Sequence, residues 1–143
     1  MIHTSISFFN KLFLLLIAVG VLHIVGLSFF LYWKIEWFDL LVHILAGAWV
    51  GGMALWFYYL SGYMTPHKET LRSVVLISVV SALFVGVSWE IFEYLVGATL
   101  LALPGEYFFD TATDLLVDGV GAYIIALLFL HRKKDTTAWQ QHN

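Results

Sequence analysis

Residues 12–33 read LFLLLIAVGVLHIVGLSFFLYW, 22 consecutive positions without Asp, Glu, Lys or Arg. A helix rises about 1.5 Å per residue, and a bilayer core of about 30 Å needs about 20 mainly apolar residues. The stretch is therefore long enough to span. Working outward, Leu40–His67 is equally free of formal charge, and Ser73–Trp89 is clean with an apolar pattern that continues to Thr99. Gly119–Leu130 becomes a fourth spanning length when extended back to Asp110. The expected fold class is all-α, a polytopic membrane protein built as a four-transmembrane-helix bundle. Its helices are expected at about 10–33, 37–62, 71–99 and 110–131, in a single transmembrane domain over 1–143 with a polar C-terminal tail at 132–143.

Composition agrees. Of 143 residues, 61% are hydrophobic and 12% charged, with a mean hydropathy of +0.86, whereas soluble domains run near about 45–50% and about 25%. A chain this short cannot hide that excess in one core, so a water-soluble globule is excluded. Seven Lys+Arg against 10 Asp+Glu excludes a nucleic-acid binder that works through a basic face. The lack of cysteine excludes disulfides, thiolate zinc sites, iron–sulfur clusters and Cys nucleophiles. The first segment reads as an uncleaved span, because Lys11 is its only charged flank and no A-x-A-like site precedes Trp33.

Loop charges predict the orientation. Lys11, Lys68, Arg72, Arg132, Lys133 and Lys134 fall on one side and Lys34 alone on the other. The positive-inside rule then puts both termini and the Gly62–Leu71 loop in the cytoplasm, with the Trp33–Trp37 hairpin and the Leu100–Phe109 connection outside. Tyr32, Trp33, Trp37 and Tyr107 fit the outer interface, and Tyr58, Tyr59 and Tyr63 the inner one. Pro66 and Pro104 are expected in connections, and the tail from Asp135 as a frayed end. Gly47 and Gly51 form a small-xxx-small face, read as helix packing.

The acids are where function enters. Asp39 and His43 are spaced i,i+4 at the start of the second span, Glu90 and Glu93 i,i+3 in the third, and Asp110, Asp114 and Asp118 i,i+4,i+8 in the fourth. Residues three or four apart share a helix face, so each span presents one polar stripe. Counted inward from the outer boundaries, His43, Glu93 and Asp114 lie roughly 6–9 Å deep, Glu90 and Asp118 roughly 12–14 Å, and His23 of the first span roughly 15 Å. A carboxylate near the membrane centre costs about 2.5–3.5 kcal/mol. Lys34 is the only basic residue offered on that side to offset it. Bound cations, shared protons or a water-filled cleft remain, and each makes a site. Taken singly, Asp110 suits an N-cap and Asp39 a first helical turn. Capping does not account for Glu90, Glu93, Asp114 or Asp118.

The elements Asp39-Leu-Leu-Val-His43-Ile-Leu-Ala-Gly47, Trp89-Glu90-Ile-Phe-Glu93-Tyr94 and Asp110-Thr111-Ala-Thr-Asp114, followed by Gly121-Ala122, resemble the YjdF family of bacterial inner-membrane proteins. The likeness covers about residues 37–123. It implies a multi-pass protein of the bacterial cytoplasmic (inner) membrane with shared functional positions at Asp39, His43, Glu90, Glu93, Asp110 and Asp114; it supplies no reaction. A more distant likeness is to VanZ-like membrane proteins, with Asp118 standing where their late element has an asparagine.

The residue types suit a divalent metal. Hard carboxylate oxygens with an imidazole fit Mg, Mn, Fe or Zn. His43, Glu90, Glu93, Asp110 and Asp114 are the expected metal ligands, and Asp39 or Asp118 the expected catalytic base. The expected function is a metal-binding membrane protein, read as a metal-dependent enzyme on a lipid or lipid-linked substrate. A cation or proton-coupled transporter and a non-catalytic accessory subunit stay open beside it. Membrane lipids are the expected partners, self-association is left open, and nucleic acid is not expected.

Overall fold

The computed structural model describes residues 2–97 and 104–141, and among these there is no strand. The elements are α1 (Ile2–Ser28), α2 (Leu31–Lys34), α3 (Glu36–Leu55), α4 (Leu71–Val96) and α5 (Pro104–Gln141), with a π-helical turn at Trp56–Leu60 extending α3. Four of these stretches are long and apolar enough to cross a membrane: Ser5–Ser28, Glu36–Leu60, Leu71–Val96 and Tyr107–Arg132. The chain is a multi-pass membrane protein with an all-helical fold.

Helix ends follow local chemistry. Phe30 adopts a left-handed conformation, φ 58°, which breaks the first helix at Ser28 and folds the short α2 back across its end. A non-glycine residue rarely takes that conformation, so packing around it must hold it. The first span is expected at about 10–33, whereas the apolar stretch long enough to cross lies at Ser5–Ser28. Thr70 caps α4 by a reciprocal pair: its hydroxyl accepts from the Ser73 amide, and its own amide donates to Ser73 Oγ, both at 3.1 Å. Gly97, φ 74°, closes α4 in the left-handed region that glycine enters at no steric cost; the expected end at residue 99 lies outside the described residues. Pro104 opens α5 instead of sitting in a connection, since the first helical position needs no amide proton. Asp110 therefore lies inside α5 and is not its cap. Beyond Arg132 the helix runs on to Gln141 where a frayed end is expected, and Lys, Ala and Gln there are good helix formers.

Helix α3 is central. It packs most extensively on α5, then on α4, while α1 lies against α3, its π turn and the short α2. Only 11% of the α1 span is buried, against 33% for α3, 28% for α4 and 33% for α5, so α1 is the peripheral helix. The π turn widens α3 where α1 joins it. Ser5 Oγ donates to the Leu60 carbonyl at 3.0 Å and accepts from Trp56 Nε1 at 3.2 Å, which pins the first helix to that turn.

The two ends of the bundle differ. Toward the Ser61–Thr70 loop, Leu55, Val74, Ala126 and Phe129 are completely buried and packed by Phe8, Tyr59, Leu60 and Ile77. Arg132 lies over the Phe129 ring and donates to both Glu69 carboxylate oxygens, at 3.1 and 3.2 Å. Toward the opposite end, His43, Glu90, Asp114 and Asp118 are buried beside Phe38 and Val42. The fully buried cluster at one end is hydrocarbon, whereas the other end buries four ionisable side chains.

Candidate metal centre

A seam of small residues sets the geometry. A methyl group added at Gly47 would lie 2.6 Å from Asp118 Cα and closer still to the Asp118 carbonyl, and one added at Gly121 would meet the Ile44 carbonyl and sit 2.9 Å from the Ala48 nitrogen. Helices α3 and α5 thus touch backbone to backbone, as small-xxx-small faces allow in a bilayer. His43 stands one turn before Gly47, so this contact places its ring against the α5 carboxylates. One ligand atom from each of Asp39, His43 and Asp114 falls within 4.8 Å of the others. Ligands at about 2.0–2.2 Å from a tetrahedral ion stand about 3.4 Å apart, so a contraction of at most about 1.4 Å would close the set on a cation. His43 Nε2 is already 3.7 Å from Asp39 Oδ1.

Asp118 approaches from behind. Its Oδ1 is 3.5 Å from His43 Nδ1, leaving Nε2 on the side of Asp39. A carboxylate on the far nitrogen of a metal-bound imidazole fixes its tautomer and orientation. Gly86 of α4 makes room for this, since a methyl group there would come 2.5 Å from Asp118 Oδ2. Asp118 is 4% exposed and Asp114 3%, while the Asp39 side chain is 32% exposed. The set opens toward the end of the bundle through Asp39.

Glu90 is reached from a third helix. Its Oε2 accepts from Thr111 Oγ1 at 2.6 Å, and Tyr107 OH donates to the Glu90 carbonyl at 3.2 Å. Glu90 Oε1 and Asp114 Oδ1 are buried with no hydrogen-bond partner. Glu93 is half-buried and Asp110 exposed. Helix geometry accounts for that gradient. Each four-residue step turns about 40° past a full revolution, so Asp110 is rotated about 80° from Asp118 around α5. The three-residue step from Glu90 to Glu93 falls about 60° short of a turn. The structure therefore gathers Asp39, His43, Asp114 and Asp118 closely, sets Glu90 beside them, and leaves Glu93 and Asp110 at the rim.

His23 has a partner that sequence reasoning missed. Its Nδ1 lies 2.7 Å from Tyr32 OH, and its ring stands edge-on to Trp89 with centroids 5.9 Å apart. The left-handed turn at Phe30 brings Tyr32 back over α1, where Gly26 leaves space for the Tyr32 and Phe38 rings. Nothing in helical periodicity signals such a return. Burial above all, then the charges of Asp39 and Glu93, push the Tyr32 phenol up to about 12. Native chain then holds the phenolic proton where unfolded chain releases it, so stability should fall between about pH 10 and 12. Phenolate absorbance should show a late step near pH 12 that is missing in Tyr32→Phe. Identical titration curves for the two proteins would contradict the placement of this phenol beside the acids.

Among known families, the model for predicted membrane proteins designated DUF2238 matches residues 1–135. No curated protein and no solved structure matches the chain.

Proposed function

The chain belongs to the DUF2238 family, to which the YjdF-like resemblance points, and on that premise we propose that it is a divalent-metal protein of the bacterial cytoplasmic membrane. Asp39, His43 and Asp114 hold the ion, and Asp118 orients the imidazole. The observation that carries this reading is the convergence of those ligand atoms within 4.8 Å, with a second carboxylate behind His43. Mixed imidazole and carboxylate donors suit Mn, Fe or Zn, and Mg with water completing its shell. Under the positive-inside rule, the basic residues Lys68, Arg72 and Arg132–Lys134 favour cytoplasmic termini and an acidic end beneath the outer headgroups.

The reaction class we assign is hydrolysis or group transfer on a lipid or lipid-linked headgroup. A divalent ion at headgroup depth supplies Lewis acidity toward a phosphoryl or acyl oxygen. Asp39 is the more accessible carboxylate of the set and faces the opening. Glu90 is held by Thr111 and lines the α4 side. A transport reading is less well supported, because Leu55, Val74 and Phe129 close the opposite half of the bundle with hydrocarbon.

Metal content tests the proposal. Protein purified in detergent without added metal, then loaded with Mn²⁺ or Zn²⁺ and desalted, should retain the ion at no less than one per chain. Chelator should remove it and lower the melting temperature, since a ligand bound only by the folded state stabilises that state. Protein that holds no ion after loading, with an unchanged melting curve, would overturn the reading.

A further inference from the structure

We propose that the centre takes a second divalent cation, bound between Asp114 and Glu90, with Asp114 shared by both ions. This rests on the metal centre proposed above. Its own observations are the two orphaned oxygens. Asp114 and Glu90 are 3% and 5% exposed, and Asp114 Oδ1 and Glu90 Oε1 are each buried without a hydrogen-bond partner. Buried polar atoms are nearly always satisfied, so each orphan calls for something absent from the chain itself. The two helices that bear them are joined at this level by the Thr111–Glu90 hydrogen bond of 2.6 Å. Thr111 stands three residues before Asp114, on the same face of α5.

Charge counting gives the same answer. Asp39, Asp114, Asp118 and Glu90 together carry four negative charges when ionised, and a neutral imidazole is what a metal takes from His43. One divalent ion neutralises half of that. Lys34, the basic residue nearest to Asp39 in sequence, is exposed and donates to the Phe29 carbonyl at 3.1 Å. A second divalent ion brings the group to neutrality. Glu93 is within Coulombic reach of Glu90, and Asp110 of Asp114. They stand at the rim, where water would complete the shell of the second ion. Two ions bridged by a carboxylate are the arrangement that clamps both the attacking and the leaving oxygen of a displacement at phosphorus, so the substrate class narrows to phosphate esters of lipids.

The experiment is ion counting with Mn²⁺ on full-length protein in detergent, combined with electron paramagnetic resonance. Wild type should retain two Mn²⁺ per chain and show a spin-coupled pair, as expected for metals about 3.5–4 Å apart. Glu90→Gln should retain one and show the six-line spectrum of an isolated ion. Thr111→Val should weaken the second ion only, and Thr111→Ser should restore it. One ion in both wild type and Glu90→Gln would overturn the second site and leave the first standing. Two ions in both would overturn the assignment to Glu90. No ion in wild type would remove both sites together. Should Glu90→Gln fail to fold, the Thr111 pair gives the same reading without touching a carboxylate.

Discussion

Gly47→Ala and Gly121→Ala should each prevent accumulation of a monodisperse, folded protein in detergent. The added methyl group at either site meets main-chain atoms of the facing helix, the Asp118 backbone in one case and Ile44 and Ala48 in the other. A flexible side chain could swing aside; a helix backbone cannot. Overpacking a close-packed interior typically costs about 1–3 kcal/mol, and here the strain falls on the most extensive helix contact in the molecule. We expect at least about 3 kcal/mol, the top of that range. Any fraction that does fold should have lost the ion, because parting α3 from α5 carries His43 away from Asp114 and Asp118. Gly20 provides the control. A methyl group there meets nothing within 4 Å, and alanine is the better helix former by about 1 kcal/mol, so Gly20→Ala should fold as well as wild type or better. Size-exclusion profiles and thermal melts decide this. Gly47→Ala with an unchanged melting temperature would mean that the two helices do not meet at this seam.

That seam marks the boundary of what sequence could show. Length and charge-free runs define spanning helices whatever their partners, and the faces bearing Asp39/His43 and Asp114/Asp118 follow from helical spacing alone. Which carboxylate serves as ligand and which supports the imidazole depends on the axial register of α3 against α5. Gly47 and Gly121 set that register; the sequence pattern presents Gly47 as ordinary membrane packing and gives Gly121 no packing partner. The rotation of Asp110 away from the cluster was legible in principle, since an i,i+4,i+8 series drifts steadily around a helix. What hid it was the expectation that α5 begins at residue 110, when Pro104 opens it. The Tyr32–His23 pair had no local signal, because it depends on a left-handed Phe30, a conformation that phenylalanine seldom adopts.

The register makes the roles of His43 and Asp118 separable by measurement. His43→Ala removes an imidazole whose Nε2 lies 3.7 Å from Asp39 Oδ1, in a set that offers one ligand atom from each of three residues. Stoichiometric binding at this position should be lost while the helices remain, since the substitution shortens a side chain without adding bulk to the seam. Asp118→Asn keeps the shape of the carboxylate but offers His43 Nδ1 a neutral partner in place of a charged one. Outer partners of metal-bound histidines typically contribute about 10–100-fold in affinity, so the ion should still bind at unchanged stoichiometry but about 10–100-fold more weakly. Competition against a chelating dye, read on both variants and wild type, gives the comparison. Were Asp118 itself a ligand, its variant would lose the ion as His43→Ala does. Were it a catalytic base remote from the metal, affinity would not move at all. Only a carboxylate that acts through the imidazole yields the intermediate result, and the 3.5 Å approach of Asp118 to His43 Nδ1 is the observation behind that expectation.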